Sequence, residues 1–157
     1  MKMTTPQTAM DTPVQQTYLD AYRGRFTSLM RWPQLDEFWE TLRGLADDGW
    51  YIYHVGHNVP QTPVSRDKLL HFINEIDVLL HKEHDEDYCG IVYADDREQP
   101  SFVKIYDPNN LGSVCGSSGA PPPFPGWILC KLKPADLNVA MPLPGNRRRW
   151  WQRLFGT

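Results

Sequence analysis

The sequence lacks most of the features that assign a chain to a functional class. No apolar run approaches the ~20 residues needed to cross a bilayer. The stretch from Met1 to Asp11 is rich in Thr and Gln and has no apolar block, so it reads as a disordered tail rather than a secretory signal. The three cysteines, Cys89, Cys115 and Cys130, are an odd number with no CxxC spacing, which argues against a disulfide framework. A reducing cytoplasm is the expected compartment. There is no internal repeat, and the one Gly/Ser-rich stretch, Gly112 to Gly119, lacks the lysine of a P-loop. No cofactor is expected from these patterns.

What is present is the composition of one globular domain. The 157 residues are 41% hydrophobic and 22% charged, with six Trp, seven Tyr and six Phe, so an aromatic-rich core is expected. The net charge of −3 conceals an asymmetry. Four of the 16 Lys and Arg residues, Arg147, Arg148, Arg149 and Arg153, fall in the last eleven positions. The remainder balances 12 basic residues against 19 acidic ones, or −7.

Hydrophobic periodicity gives the elements. Leu19, Tyr22, Phe26 and Leu29 form one stripe of a helix starting at Thr12-Pro13. Leu35, Phe38, Trp39, Leu42 and Leu45 form the face of a second helix that starts at Pro33. Trp50 to Val55 is aromatic and β-branched, the pattern of a strand. Ser65 caps a third helix whose stripe is Leu69, Ile73, Ile76 and Leu80. Three further strands are expected at Tyr88–Ala94, Ser101–Tyr106 and Trp127–Lys133. The order α-α-β-α-β-β-β predicts an α+β two-layer sandwich. Its mostly antiparallel four-stranded sheet would carry the helices on one face and contain one right-handed β-α-β crossover. The domain is expected over 12–140, with a Pro-rich linker and basic amphipathic tail over 141–157.

Candidate chemistry is sparse. Cys115 lies in the long Gly/Pro loop 107–126, where a thiolate nucleophile would need a base; His54, at the end of the first strand, and His57, in the following loop 56–64, are the available ones. His81 and His84, three apart, supply half of a metal site that Asp85 or Asp87 would have to complete. The carboxylate pairs Asp47-Asp48 and Asp95-Asp96 fit helix-end and turn positions, where Asp serves backbone hydrogen bonds. None of these sets makes a catalytic constellation, so an enzyme is the less favoured reading.

The tail has the clearest physical signal. In Arg147-Arg148-Arg149-Trp150-Trp151-Gln152-Arg153-Leu154-Phe155 the Trp, Leu and Phe side chains share less than half of a helical wheel, with arginine opposite. A helix this short is marginal in water and must dock on something. Its own acidic body, a symmetry mate or a different protein partner are the candidate surfaces. An anionic membrane offers at most a weak, peripheral contact. Nucleic acid is excluded as a partner by the acidic remainder, which would repel phosphate. The sequence therefore predicts an accessory or adaptor-type protein that binds another protein. The alternative is a small enzyme or ligand-binding protein using the loops 56–64 and 107–126.

Overall fold

A computed structural model of the chain describes residues 17–110, 124–137 and 145–155, excluding the side chains of 110 and 145–149. The expected tail 1–11, the segment around Cys115 and the linker 141–144 lie outside the described residues. The elements in chain order are α1 (17–22), β1 (Thr27–Ser28), α2 (Trp32–Leu45), β2 (Tyr51–His54), α3 (Arg66–Glu83), β3 (Val92–Ala94), β4 (Phe102–Ile105), a 3-10 turn (Pro108–Asn110), β5 (Trp127–Cys130) and α4 (Gly145–Phe155).

The two central helices follow their sequence pattern. Helix α2 buries Leu35, Phe38, Trp39 and Leu42, and Pro33 stands in its first turn. Helix α3 buries Leu69, Phe72, Ile73, Ile76, Leu79 and Leu80, and Ser65 Oγ accepts the Lys68 N–H at 3.2 Å as its cap. Asp48 Oδ1 adds a second acceptor, taking the Arg66 N–H at 2.8 Å. The neighbouring Asp47 carboxylate is held below its ordinary range by the Lys131 ammonium, 2.7 Å away, and by the Gly49 N–H.

The architecture is α+β with an antiparallel sheet, but the sheet has five strands rather than the expected four, in the order β1-β3-β4-β5-β2. The extra strand lies where the first helix was expected to continue. Helix α1 stops at residue 22, just before Gly24, and Thr27 and Ser28 instead pair with Ala94 and Tyr93. Glycine costs a helix about 1 kcal/mol relative to Ala, so the edge of β3 takes over from this point.

The expected β-α-β crossover is also corrected, since every pairing is antiparallel and β2 and β3 run in opposite directions. The cause lies in the loop before α3. The chain doubles back along β2 until the Val64 N–H donates to the Trp50 carbonyl at 2.8 Å. Helix α3 therefore starts beside the beginning of β2 and delivers the chain to the far end, from which β3 returns.

Strand alternation produces two buried faces. Val103, Leu129 and Ile52 stand in one cross-strand row, and Ile105, Trp127 and His54 in the next. This face carries α2, α3 and α4. The opposite face presents Phe102, Cys130, Ile128 and Tyr53, covered by Tyr18, Leu19 and Tyr22 of α1 with Phe26, Phe124 and Leu137. Helices thus lie on both faces, not on one. The aromatics of α1 and of the segment after it cluster around Phe102, with Tyr18 and Phe26 ring centres at 5.4 and 5.6 Å.

Candidate functional site

The strongest convergence of unusual side chains is at the end of β2. His54 is 3% exposed. The chain then turns through Val55-Gly56, with the His57 N–H donating to the His54 carbonyl at 3.0 Å. Gly56 sits at φ 95°, the third position of a turn that demands positive φ, which a Cβ disfavours. This His-x-Gly-His turn stacks the two imidazoles, with centres 4.2 Å apart and planes 21° from parallel. The spacing of three residues that pairs His54 and His57 in the sequence is thus a turn spacing.

Helix α4 closes over the same spot. Trp150 is buried against Phe72 at 6.1 Å and Trp127 at 5.4 Å, both edge-on. Trp151 lies 4.4 Å from the His54 ring, and Phe155 packs on Trp151 at 4.3 Å. Lys68 places its ammonium 5.4 Å from the Phe155 ring centre, and Arg153 reaches Glu75 at 3.5 Å. Two separate sequence features, the histidine pair and the Trp-Trp tail, therefore meet at one place. Trp150 belongs to the protein's own core, Trp151, Leu154 and Phe155 are half-buried, and Gln152 and Arg153 are exposed. The side chains of Arg147, Arg148 and Arg149 lie outside the described residues.

Below this corner the backbone is tightly drawn together. Gly126 donates to the Ile105 carbonyl and accepts from the Val55 N–H. A Cβ on Gly126 would stand 3.1 Å from Cβ of the buried Asp107. Asp107 Oδ1 in turn accepts the Asn109 N–H at 2.9 Å. The sequence offered Asp107 only as the first residue of a loop, and gave no signal of its burial.

Cys115, the proposed nucleophile, lies outside the described residues. The two described thiols are structural: both are buried, burial raises Cys89, and burial pushes Cys130 up to about 12. A thiol held protonated in this way is a poor nucleophile.

His81 and His84 do not converge. Helix α3 ends at Glu83, and His84 leaves it as the cap, buried, with Nε2 2.8 Å from the Cys89 carbonyl. A carbonyl only accepts, so Nε2 carries the proton and this nitrogen is not a free ligand. His81 stays on the helix and faces Asp77 at 3.4 Å. The Asp95-Asp96 pair serves its turn: Asp95 Oδ1 accepts from the N–H groups of Asp96, Ser101 and Phe102. An open groove of about 690 Å³ runs between α2 and this turn, lined by Glu37, Asp95, Asp96, Arg97 and Glu98 among others. It has no His or Cys in its wall and shares no residue with the β2 corner.

Comparison with known proteins finds no family model, curated protein or solved structure that matches the chain significantly.

Proposed function

We propose that the protein is a small cytoplasmic accessory protein that works by binding another protein, with the outer face of α4 as its contact surface. The observation that supports this is the docking of α4 through Trp150, which leaves Gln152 and Arg153 facing outward. An isolated 11-residue helix would be marginal, and one already held on a folded body no longer has to be ordered when a partner arrives. Arginine is among the residues enriched at the centres of protein interfaces, and a basic face selects an acidic partner surface.

The test is charge reversal of the exposed arginine, Arg153→Glu, and affinity capture from a native extract beside the unaltered protein. A specific partner retained by the unaltered protein, eluted by salt and lost from the variant supports the reading. Identical captured sets sink it, as would self-association that survives the reversal. Circular dichroism of the variant establishes that α4 remains docked.

A second reading rests on the stacked His54–His57 pair under Trp151. It makes the β2 corner a site for a small ligand. His57 is exposed, so His57→Ala should leave the fold intact while abolishing any ligand-induced shift of the Trp151 indole signal.

A further inference from the structure

We propose that Asp36, Asp77 and His81 form a divalent transition-metal site that clasps α2 to α3. The three residues each offer one ligand atom, and these atoms all lie within 4.8 Å of one another. Asp77 and His81 are four residues apart on α3, so they share a face, and Asp36 approaches from the second turn of α2. The separation of His81 Nε2 and Asp77 Oδ1 is 3.4 Å. Two ligands bound tetrahedrally at 2.0–2.2 Å stand about 3.4 Å apart, so this edge already has the dimensions of a zinc site.

Two tryptophans hold these donors in place. The Trp39 indole N–H donates to Asp77 Oδ1 at 3.0 Å, which fixes the carboxylate and leaves its remaining lone pairs for a cation. Trp32 stacks on His81 with centres 4.2 Å apart and planes 28° from parallel, which fixes the imidazole plane. This is the outer support that metal ligands usually have. A simple surface ion pair would need only Asp77 and His81. The approach of Asp36 brings a second carboxylate to the same point, where the two negative charges repel. Among the described residues no Lys or Arg pairs with Asp36 or Asp77. A bound cation removes that repulsion. One imidazole and two carboxylates suit Zn²⁺, with water completing the coordination, and the affinity order expected for such donors is Mn²⁺ below Co²⁺ below Zn²⁺.

The experiment is calorimetric titration of the full chain, freed of metal by chelation, with Zn²⁺, followed by Co²⁺ spectroscopy. One equivalent should bind, the melting temperature should rise with Zn²⁺, and Co²⁺ should give visible bands of tetrahedral intensity. His81→Gln and Asp36→Asn should each weaken binding by more than about 10-fold, and Trp39→Phe by about 10-fold through the lost hold on Asp77. Asp36 and His81 are exposed, so these variants should keep the fold, which circular dichroism without metal verifies. No one-equivalent binding to the unaltered protein overturns the proposal. So does binding that survives both His81→Gln and Asp36→Asn within twofold, or that follows His57→Gln instead.

Discussion

Lys104 shows how much a single side chain can shape the stability of this protein. It stands on the α1 face of the sheet, with its ammonium 4.1 Å from the Tyr22 ring centre and 3.9 Å from that of Phe26. Burial lowers its pKa from 10.5 to about 8, while the two ring faces favour the charged form and help keep it protonated at neutral pH. Because the folded value lies below the unfolded one, the unfolded chain holds a proton that the folded chain has released between pH 8 and 10.5. The Lys104 contribution therefore makes stability rise with pH across that window. The buried Tyr18 and half-buried Tyr22 act oppositely above pH ~10, because desolvation raises their folded pKa values and the unfolded chain ionises first. Urea midpoints of the unaltered protein and Lys104→Met at pH 7.5, 9 and 10 isolate the lysine: the variant should lose the rise. Parallel curves would disprove the assignment. The thiols give a second residue-scale prediction. Cys89 and Cys130 should resist a thiol reagent in the native protein and both react once it is unfolded, as mass spectrometry of the labelled peptides would reveal.

At the scale of elements, local pattern was a good guide wherever the element was long. The stripes of α2 and α3 and the apolar runs of β2, β4 and β5 all appear close to their sequence positions, because each buries its face against the same sheet core. Strand β1 was not legible, being two residues held by pairing with β3, far away in the chain. Leu19, Tyr22, Phe26 and Leu29 have the spacing of one helix face, yet the helix ends at residue 22 and Tyr22 and Phe26 follow their packing instead. Their target, Phe102, lies on the other side of the sheet. The metal donors were half legible: Asp77 and His81 have the helical four-residue spacing, whereas His84, three residues beyond His81, leaves the helix as its cap. Asp36 could be added only by the packing of α2 on α3. One substitution uses the intact part of this scheme. Gly44, exposed near the end of α2, has nothing within 4 Å of a would-be Cβ. Gly44→Ala should stabilise the protein by about 0.5–1 kcal/mol, visible as a rise in the thermal midpoint of roughly 2–4 °C per kcal/mol. A lowered midpoint would mean that α2 needs the glycine for a reason other than space.

For the whole molecule, the amphipathic tail and the acidic body were both visible in composition, whereas their meeting place was not. Trp150 completes the aromatic cluster with Phe72 and Trp127, so α4 is part of the fold as well as the proposed contact surface. Trp150→Ala should cost about 3–5 kcal/mol, the usual range for deleting a buried indole, and should increase binding of a hydrophobic dye as Trp127 becomes accessible. Unchanged denaturant midpoints would show that the helix contributes no stability. The number of strands and their order were the least legible features, because they are decided by pairings between distant segments rather than by any local preference.

Those distant pairings also set a timetable for synthesis. Among the described residues, the strand that pairs with β2 is β5, with Tyr51 opposite Cys130 and His54 opposite Trp127. On the ribosome, residues 51–54 wait without this partner until Trp127 to Cys130 have been made. Helix α3 and the β3–β4 hairpin can organise early from neighbouring residues, whereas the aromatic strand Tyr51-Ile52-Tyr53-His54 lacks its β5 neighbour until late in synthesis. The vulnerable interval in the life of this protein is therefore the one before Trp127 appears, and a nascent chain stalled there would be the form most in need of a chaperone.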